Sequence, residues 1–425
     1  MVNRHLFALI FDRISVTPAG AQTSTTAASI TDKGVLLSLS AMSRVLDVDP
    51  IRRIARVEPG VTVGALNKLL AEQLLRFAPD PTSEHDATVG GAIACNASGA
   101  RSLRYGATRP HVHSVTIANG TGELVKLQRP QLEKNTVGFF VAQDPVDWIV
   151  GSEGTLGVIA EAELSLVALP VHEFGLALPF ESEQDALAFV AEARMRGDRH
   201  TGPRPQCLEY FDGLALAIAR TAVGADWMRD ARALVYLEQA LDDDADVDVA
   251  LERWLSFAES FSVDASDIAA YDDAAALRDA RHFRHAVPAH MNERGSARRA
   301  FGGRKVSTDW AVPYARLAEA IEGARRIADT HSIEQAVTYG HAGNGHPHQN
   351  FIANDADELR RISAVVDETI HTVLAMGGTV AAEHGLGKLK RHWLHTQLSA
   401  TQLAVMQAMK HTLDPHGIFS PGNVL

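Results

Sequence analysis

From about Ile14 to Leu169 the chain consists of short β-branched runs cut by glycine-dense turns. Past Leu169-Pro170 it changes to longer, Ala-rich amphipathic stretches alternating with strands. That change of texture sets a boundary near residue 170 and two expected domains, residues 1–170 and 171–425. In the first, Ile14 to Thr17, Val35 to Ser40, Ile54 to Glu58, Ser114 to Ala118, Leu124 to Leu127 and Gly157 to Val167 read as strands. One helix interrupts them over Val63 to Leu75, where Leu66, Leu69, Leu70 and Leu74 fall at helical spacing. In the second, strands are expected at Phe174 to Pro179, Gln206 to Phe211, Ala233 to Gln239, Lys305 to Val312 and Ala336 to Tyr339. A helix is expected over Asp357 to Met376, stopped by Gly377-Gly378. The expected class is α+β, with a mixed first domain and a second built as a sheet covered by helices.

The 425 residues carry 40 Lys+Arg against 52 Asp+Glu, a formal net charge of -12, which argues against binding nucleic acid through its phosphates. Two cysteines, Cys95 and Cys207, are too few for a disulfide framework or an iron–sulfur cluster and point to a reducing, cytoplasmic setting. No run of 18 apolar residues occurs, so any membrane contact would be peripheral, at the inner membrane. The segment Met1 to Arg13 reads as a helix, because Asp12 ends its apolar stretch and no small-residue cleavage site follows. The acidic run Asp242 to Asp248 alternates like a calcium loop, yet Val247 and Arg253 stand where glycine and a bidentate glutamate are needed, so it reads as a solvated loop.

Neither GxGxxG nor GxxxxGK[ST] is present, so a dinucleotide would need another device. Three small-residue loops offer one: Pro18 to Ser24, Thr88-Val89-Gly90-Gly91, and Gly151-Ser152-Glu153-Gly154-Thr155-Leu156-Gly157. Small side chains let consecutive backbone N–H groups approach an anion closely. Each loop taken alone is most often just a turn. In the second half, Gly340-His341-Ala342-Gly343-Asn344-Gly345-His346-Pro347-His348-Gln349-Asn350 is followed by Glu383-His384-Gly385. Imidazoles and a carboxylate suit a divalent transition metal, and spacing alone leaves that reading and a plain surface loop equally open.

Taken in order, these stretches resemble the FAD-linked oxidases of the vanillyl-alcohol oxidase and p-cresol methylhydroxylase type. The branch resembled holds D-lactate dehydrogenases, D-2-hydroxyglutarate dehydrogenases and the glycolate oxidase flavoprotein subunit. Val57-Glu58-Pro59-Gly60-Val61, Ala78 to Ser83, Asn96-Ala97-Ser98-Gly99 and Arg104-Tyr105-Gly106 complete the match. The resemblance implies a PCMH-type FAD-binding domain followed by an α/β cap domain with an antiparallel sheet covered by helices and a C-terminal helical segment that returns to the flavin. It carries non-covalent FAD contacts to Gly20, Ala21, Thr23, Ser24, Pro81, Thr82, Gly90, Gly91, Ser98, Gly151, Gly154, Thr155 and Ile159. This chain departs from the pattern at Ala19, where an arginine is common, and at Gln22, where a glycine is common. Only Met1 to Thr17 precede the phosphate loop, where relatives carry a first strand and most of a helix, so an N-terminally shortened domain is expected.

By the same resemblance His341, His348 and Glu383 are metal ligands, for Zn or Mn. His384 is the acid/base, and Arg284, Lys305 and Asn350 contact the substrate. Many relatives read Gly-Asp-Gly-Asn-Leu-His where this chain has Gly343-Asn344-Gly345-His346-Pro347-His348. The role of the added imidazole at 346 stays open. The implied reaction is metal-assisted oxidation of a D-2-hydroxy acid, with electrons leaving to a cytochrome, quinone, flavoprotein or iron–sulfur partner. Two other readings stand beside it: a flavin transferase akin to alkylglycerone-phosphate synthase, and a silent accessory subunit. Ala-rich helices are compatible with a homodimer.

Overall fold

A computed structural model describes residues 8–223, 228, 230–242 and 246–425. The chain packs as two compact units. The first contains Met1–Arg101, Tyr105–Leu169 and Glu383–Leu425, and the second contains Ser102–Arg104 and Pro170–Ala382.

The first unit is built on a five-stranded antiparallel sheet in the order Val45–Asp49, Ile54–Val57, Val158–Ser165, Val112–Ala118, Leu124–Gln128. Alternation along Val158–Ser165 buries Ala162 and Leu164 and leaves Glu161 and Glu163 partly solvated, the period-2 pattern of a half-buried sheet. Val57, Leu66, Leu70, Ile93, Val115 and Ile117 form its core. A parallel pair, Val16–Ala19 with Val35–Ser38, stands apart from that sheet. The helix Val63–Ala71 starts where the Thr62 hydroxyl accepts the Ala65 N–H at 3.2 Å. It ends before Leu75: Leu74 takes a left-handed φ of 55° and lies 72% exposed, so only part of the leucine pattern faces the core. The expected N-terminal helix is present over 8–11, and residues 1–7 lie outside the described residues.

The second unit is a seven-stranded, wholly antiparallel sheet ordered Ala269–Tyr271, His172–Phe180, Ala233–Leu241, Cys207–Phe211, Val337–Gly340, His348–Asp355, Gly302–Ser307. Cross-strand partners share a face and neighbours along a strand alternate. The pairings Phe211↔Tyr339, Tyr339↔His348 and Ser307↔Asn350 therefore put Glu209, Phe211, Tyr339, His348, Asn350 and Lys305 on one face. The helix Ala274–Ala297 covers that face, with Phe283 edge-on to Phe211 at 5.6 Å. On the opposite face an aromatic cluster of Phe180, Phe189, Trp254, Phe257 and Phe261 joins the helices Glu183–Asp198 and Val247–Glu259 to the sheet. The helix Ala356–Ala375 stops as expected, Gly378 donating to the Val373 carbonyl at 2.9 Å.

Two expected elements differ in extent. The strand anticipated from Lys305 to Val312 ends at Ser307; Thr308 N–H still donates to the Gln349 carbonyl at 2.9 Å, and by Val312 the N–H has turned to the Gly345 carbonyl. The stretch 383–425, expected within the second domain, packs with the first unit because Ile418 and Phe419 complete an apolar cluster with Val16, Leu39 and Val158. Among the described residues no helix is long and apolar enough to cross a membrane.

Candidate functional site

In the first unit the three small-residue loops meet. Gly20, just past the strand Val16–Ala19, lies against the Thr88 side chain. Thr88 caps the helix Val89–Cys95, its hydroxyl accepting the Gly91 N–H at 3.2 Å. The third loop is laced to the far end of that helix, Gly151 N–H to the Ile93 carbonyl at 3.0 Å and Glu153 N–H to the Ala94 carbonyl at 2.8 Å. Gly154 has φ 74°, and a Cβ there would sit 2.8 Å from Pro18 Cγ, so the first and third loops touch only because the side chain is missing. Ser24 is partly buried and Ala21 and Thr23 are exposed, while Pro81 and Thr82 begin a turn closed by Glu84 N–H on the Pro81 carbonyl at 2.8 Å. Ile159 is 6% exposed within the core, so it offers backbone alone.

At Gln22, the position where a glycine is common among relatives, φ is 58°. The backbone thus adopts the conformation glycine favours with a longer residue in place, and the Gln22 amide donates to the Ser29 carbonyl at 2.7 Å. Small, polar loops that meet around one short helix, the first at its start and the third at its end, are a donor set that fits a pyrophosphate.

Glu153 was only part of a loop motif in the sequence, yet its buried carboxylate accepts the Leu386 and Gly387 N–H groups at 2.8 Å each. Burial raises its pKa, and those two bonds oppose the shift. Ser420 Oγ donates to the Gly154 carbonyl and Lys410 Nζ to the Thr155 carbonyl, at 3.1 and 2.7 Å. Ser98 Oγ donates to Glu383 Oε1 at 3.1 Å, and Thr26 Oγ1 to the His384 carbonyl at 3.2 Å.

In the second unit His341 follows the strand Val337–Gly340 and His348 opens the strand His348–Asp355. The turn between them is tight: Gly345 has φ 68°, and a Cβ there would collide with the Val312 carbonyl. This brings three imidazoles together, with ring centroids 5.5 Å apart for His341–His346, 5.3 Å for His341–His348 and 4.6 Å for His346–His348. Their donor nitrogens lie within 4.8 Å of one another.

Two buried carboxylates stand behind the rings. Glu209 Oε1 is 2.7 Å from His341 Nδ1 and its Oε2 is 2.9 Å from Arg284 Nε. Nδ1 faces Glu209, which fixes the ring's orientation, and Arg284 Nη2 lies 3.5 Å from both ring nitrogens. Asp309 Oδ1 is 3.2 Å from His346 Nε2. Ala382, the last residue of this unit, donates its N–H to the Asp309 carbonyl at 2.8 Å, and Glu383 and His384 follow it in the chain.

The predicted substrate contacts Arg284, Lys305 and Asn350 also share this face. Burial lowers the pKa of Lys305, which has no acidic partner within ion-pair reach among the described residues. Asn350 Nδ2 donates to Tyr339 Oη at 3.0 Å, while its buried Oδ1 has no hydrogen-bond partner there. Burial pushes the Tyr339 phenol up to about 12, so it stays protonated. Sequence reasoning missed Glu209 and Asp309. The signal for Glu209 was a lone carboxylate in the apolar run Cys207-Leu208-Glu209-Tyr210-Phe211; Asp309, in the polar stretch Ser307-Thr308-Asp309, gave none.

The chain matches the family of FAD linked oxidases, C-terminal domain, over residues 170–424, and the FAD binding domain family over residues 11–128. It is 28% identical to a D-lactate dehydrogenase of Anaerostipes hadrus, over 97% of this chain and 85% of that one. It is 29% identical to the glycolate oxidase subunit GlcD of Escherichia coli (strain K12), over 96% and 78%. A solved alkyldihydroxyacetonephosphate synthase superposes with a TM-score of 0.69 at 19% identity, covering 99% of this chain and 74% of that one, which speaks to the fold alone. One family description spans more than half of the residues and a second takes up most of the N-terminal sheet, and on that basis this chain belongs to the FAD-linked oxidases.

Proposed function

We propose that this chain oxidises a D-2-hydroxy acid of the D-lactate, glycolate or D-2-hydroxyglutarate class to the 2-oxo acid, with FAD and a divalent metal, passing electrons to an acceptor other than NAD. The observation that carries this reading is one sheet face of the second unit, where the imidazoles of residues 341, 346 and 348 gather near Arg284, and Lys305, without an acidic partner among the described residues, stands on the same face. When bound, FAD supplies a two-electron acceptor and a Zn or Mn ion supplies Lewis acidity that makes the hydroxyl easier to deprotonate.

The residues divide the remaining work. Arg284, paired through Nε with Glu209 and with Nη2 3.5 Å from His341, would direct its positive charge at the substrate carboxylate, and Lys305 adds a point charge. The buried, unpartnered Oδ1 of Asn350 accepts a substrate hydroxyl. His341, His348 and Glu383 would hold the ion, and His384 takes the hydroxyl proton. The loops around Gly20, Ala21, Thr23 and Ser24, Pro81 and Thr82, Gly90 and Gly91, Ser98, Gly151, Gly154, Thr155 and Ile159 would hold FAD without a covalent bond.

The test is a flavin spectrum of the purified chain, followed by dye reduction with D-lactate, glycolate, D-2-hydroxyglutarate and D-malate before and after chelator and metal. The reading expects a yellow protein whose turnover falls with chelator and returns with Zn²⁺ or Mn²⁺. A colourless chain that cannot be reconstituted with FAD would instead mark an accessory subunit, and chelator-insensitive turnover would remove the metal.

A further inference from the structure

The residue this reading leaves without a task is His346. We propose that His346 is itself a metal ligand in this chain, so that the second unit alone presents three imidazoles to the ion. The inference rests on the metal-assisted reading above and deepens it.

Three observations carry it. First, His346 is not a bystander in the turn: its ring lies 4.6 Å from that of His348 and 5.5 Å from that of His341, centroid to centroid. The donor atoms of all three fall within 4.8 Å. Nitrogens bound to one tetrahedral Zn²⁺ at about 2.0–2.1 Å stand roughly 3.3 Å apart, so ring rotations of an ångström or so close the set. Second, His346 is 3% exposed, and its Nε2 has no hydrogen bond. Burying a ring nitrogen without a hydrogen bond is unfavourable, and natural structures keep such atoms where something else binds them.

Third, the surroundings suit a dication. Asp309 Oδ1 lies 3.2 Å from that nitrogen, out of line for an N–H donor, and is itself buried. On the other side of the cluster Glu209 holds His341 by Nδ1. Glu209 is already paired with Arg284, so it is the buried Asp309 beside His346 that would offset charge on an ion held by these imidazoles. A nitrogen-rich set also favours Zn²⁺ over Mn²⁺, which prefers oxygen ligands.

The experiment strips the FAD-loaded chain with chelator and titrates it with Zn²⁺ and Mn²⁺ against a chromophoric competitor, for wild type, His346→Asn and His346→Gln, with far-UV circular dichroism to confirm folding. The expected result is stoichiometric Zn²⁺ in wild type, a loss of Zn²⁺ affinity of tenfold or more in both variants, and a smaller change for Mn²⁺. Zinc-edge X-ray absorption of the wild-type protein needs no variant and should count three imidazoles. Two imidazoles by that count, or equal Zn²⁺ affinity in folded variants and wild type, would overturn the assignment and leave the metal-assisted reading intact. Uptake of Mn²⁺ but not Zn²⁺ would overturn the assignment alone, and a wild-type chain that takes up neither ion would overturn both.

Discussion

Replacing Glu209 tests whether one buried carboxylate organises both the cation and the imidazole. Glu209 is 0% exposed and pairs with Arg284, itself mostly buried, at 2.9 Å, while its other oxygen holds His341 at 2.7 Å. At an effective dielectric constant near 20 the Arg284 attraction alone is about 6 kcal/mol before desolvation is subtracted. Removing one member of such a pair leaves the other charge buried and uncompensated, typically a loss of about 3–5 kcal/mol, which is the expectation for Glu209→Ala. Glutamine keeps the shape and one acceptor, so Glu209→Gln should lose about 1–3 kcal/mol.

The assay is urea unfolding at saturating FAD, read by tryptophan fluorescence, with the shift in midpoint multiplied by an unchanged slope. The same variants should bind Zn²⁺ about 10–100-fold more weakly, because His341 loses the partner that fixes its tautomer. Glu209→Ala within about 0.5 kcal/mol of wild type, a shift ordinary for surface positions, would refute the argument.

Burial pushes the Asp212 carboxyl up to about 6, with the Ala215 and Thr338 N–H groups opposing the shift. Because the folded value is raised, the group's stability contribution is full below about pH 4 and is lost as pH rises through about 6, a change of up to roughly 3 kcal/mol. Asp212→Asn should flatten that slope, so the wild-type-minus-variant difference in unfolding free energy should fall between about pH 4.5 and pH 7.5; a constant difference would contradict it. Lys305→Met should raise KM for every 2-hydroxy acid oxidised by about tenfold or more while the flavin spectrum stays unchanged, and an unaltered KM would release Lys305 from the substrate. The Cys95 thiol is pushed up to about 12 by burial and Cys207 is buried, so iodoacetamide at about pH 8 should label neither until denaturant is added. Gln22→Gly should relieve a left-handed residue worth about 1 kcal/mol and tighten FAD binding; weaker binding would show that the Gln22 side chain is needed.

The sequence made the two-part architecture legible because strand period and glycine punctuation are local properties. The runs at Ile54, Ser114 and Ala233 all became strands near their expected limits. Val45–Asp49 was not anticipated, since Asp47 and Asp49 dilute its apolar signal and its pairing with Ile54–Val57 supplies the missing preference. The histidine turn was legible as a cluster because its members are seven residues apart at most. Glu209, 132 residues before His341, was not, since nothing local reports which strands become neighbours. The seven-strand order places Cys207–Phe211 beside Val337–Gly340, and that long-range pairing creates the contact.

The membership of 383–425 in the first unit has a consequence for how the protein is made. Val16 bridges Phe419 and shares an apolar cluster with it, both at 0% exposure. A ribosome that has finished Leu169 must add roughly 250 more residues before that partner emerges, about 12–50 s at ordinary elongation rates. Throughout that interval the nascent N-terminal part holds an uncovered greasy seam, so this small cluster closes only after synthesis of nearly the whole chain and chaperones have a long window in which to engage it.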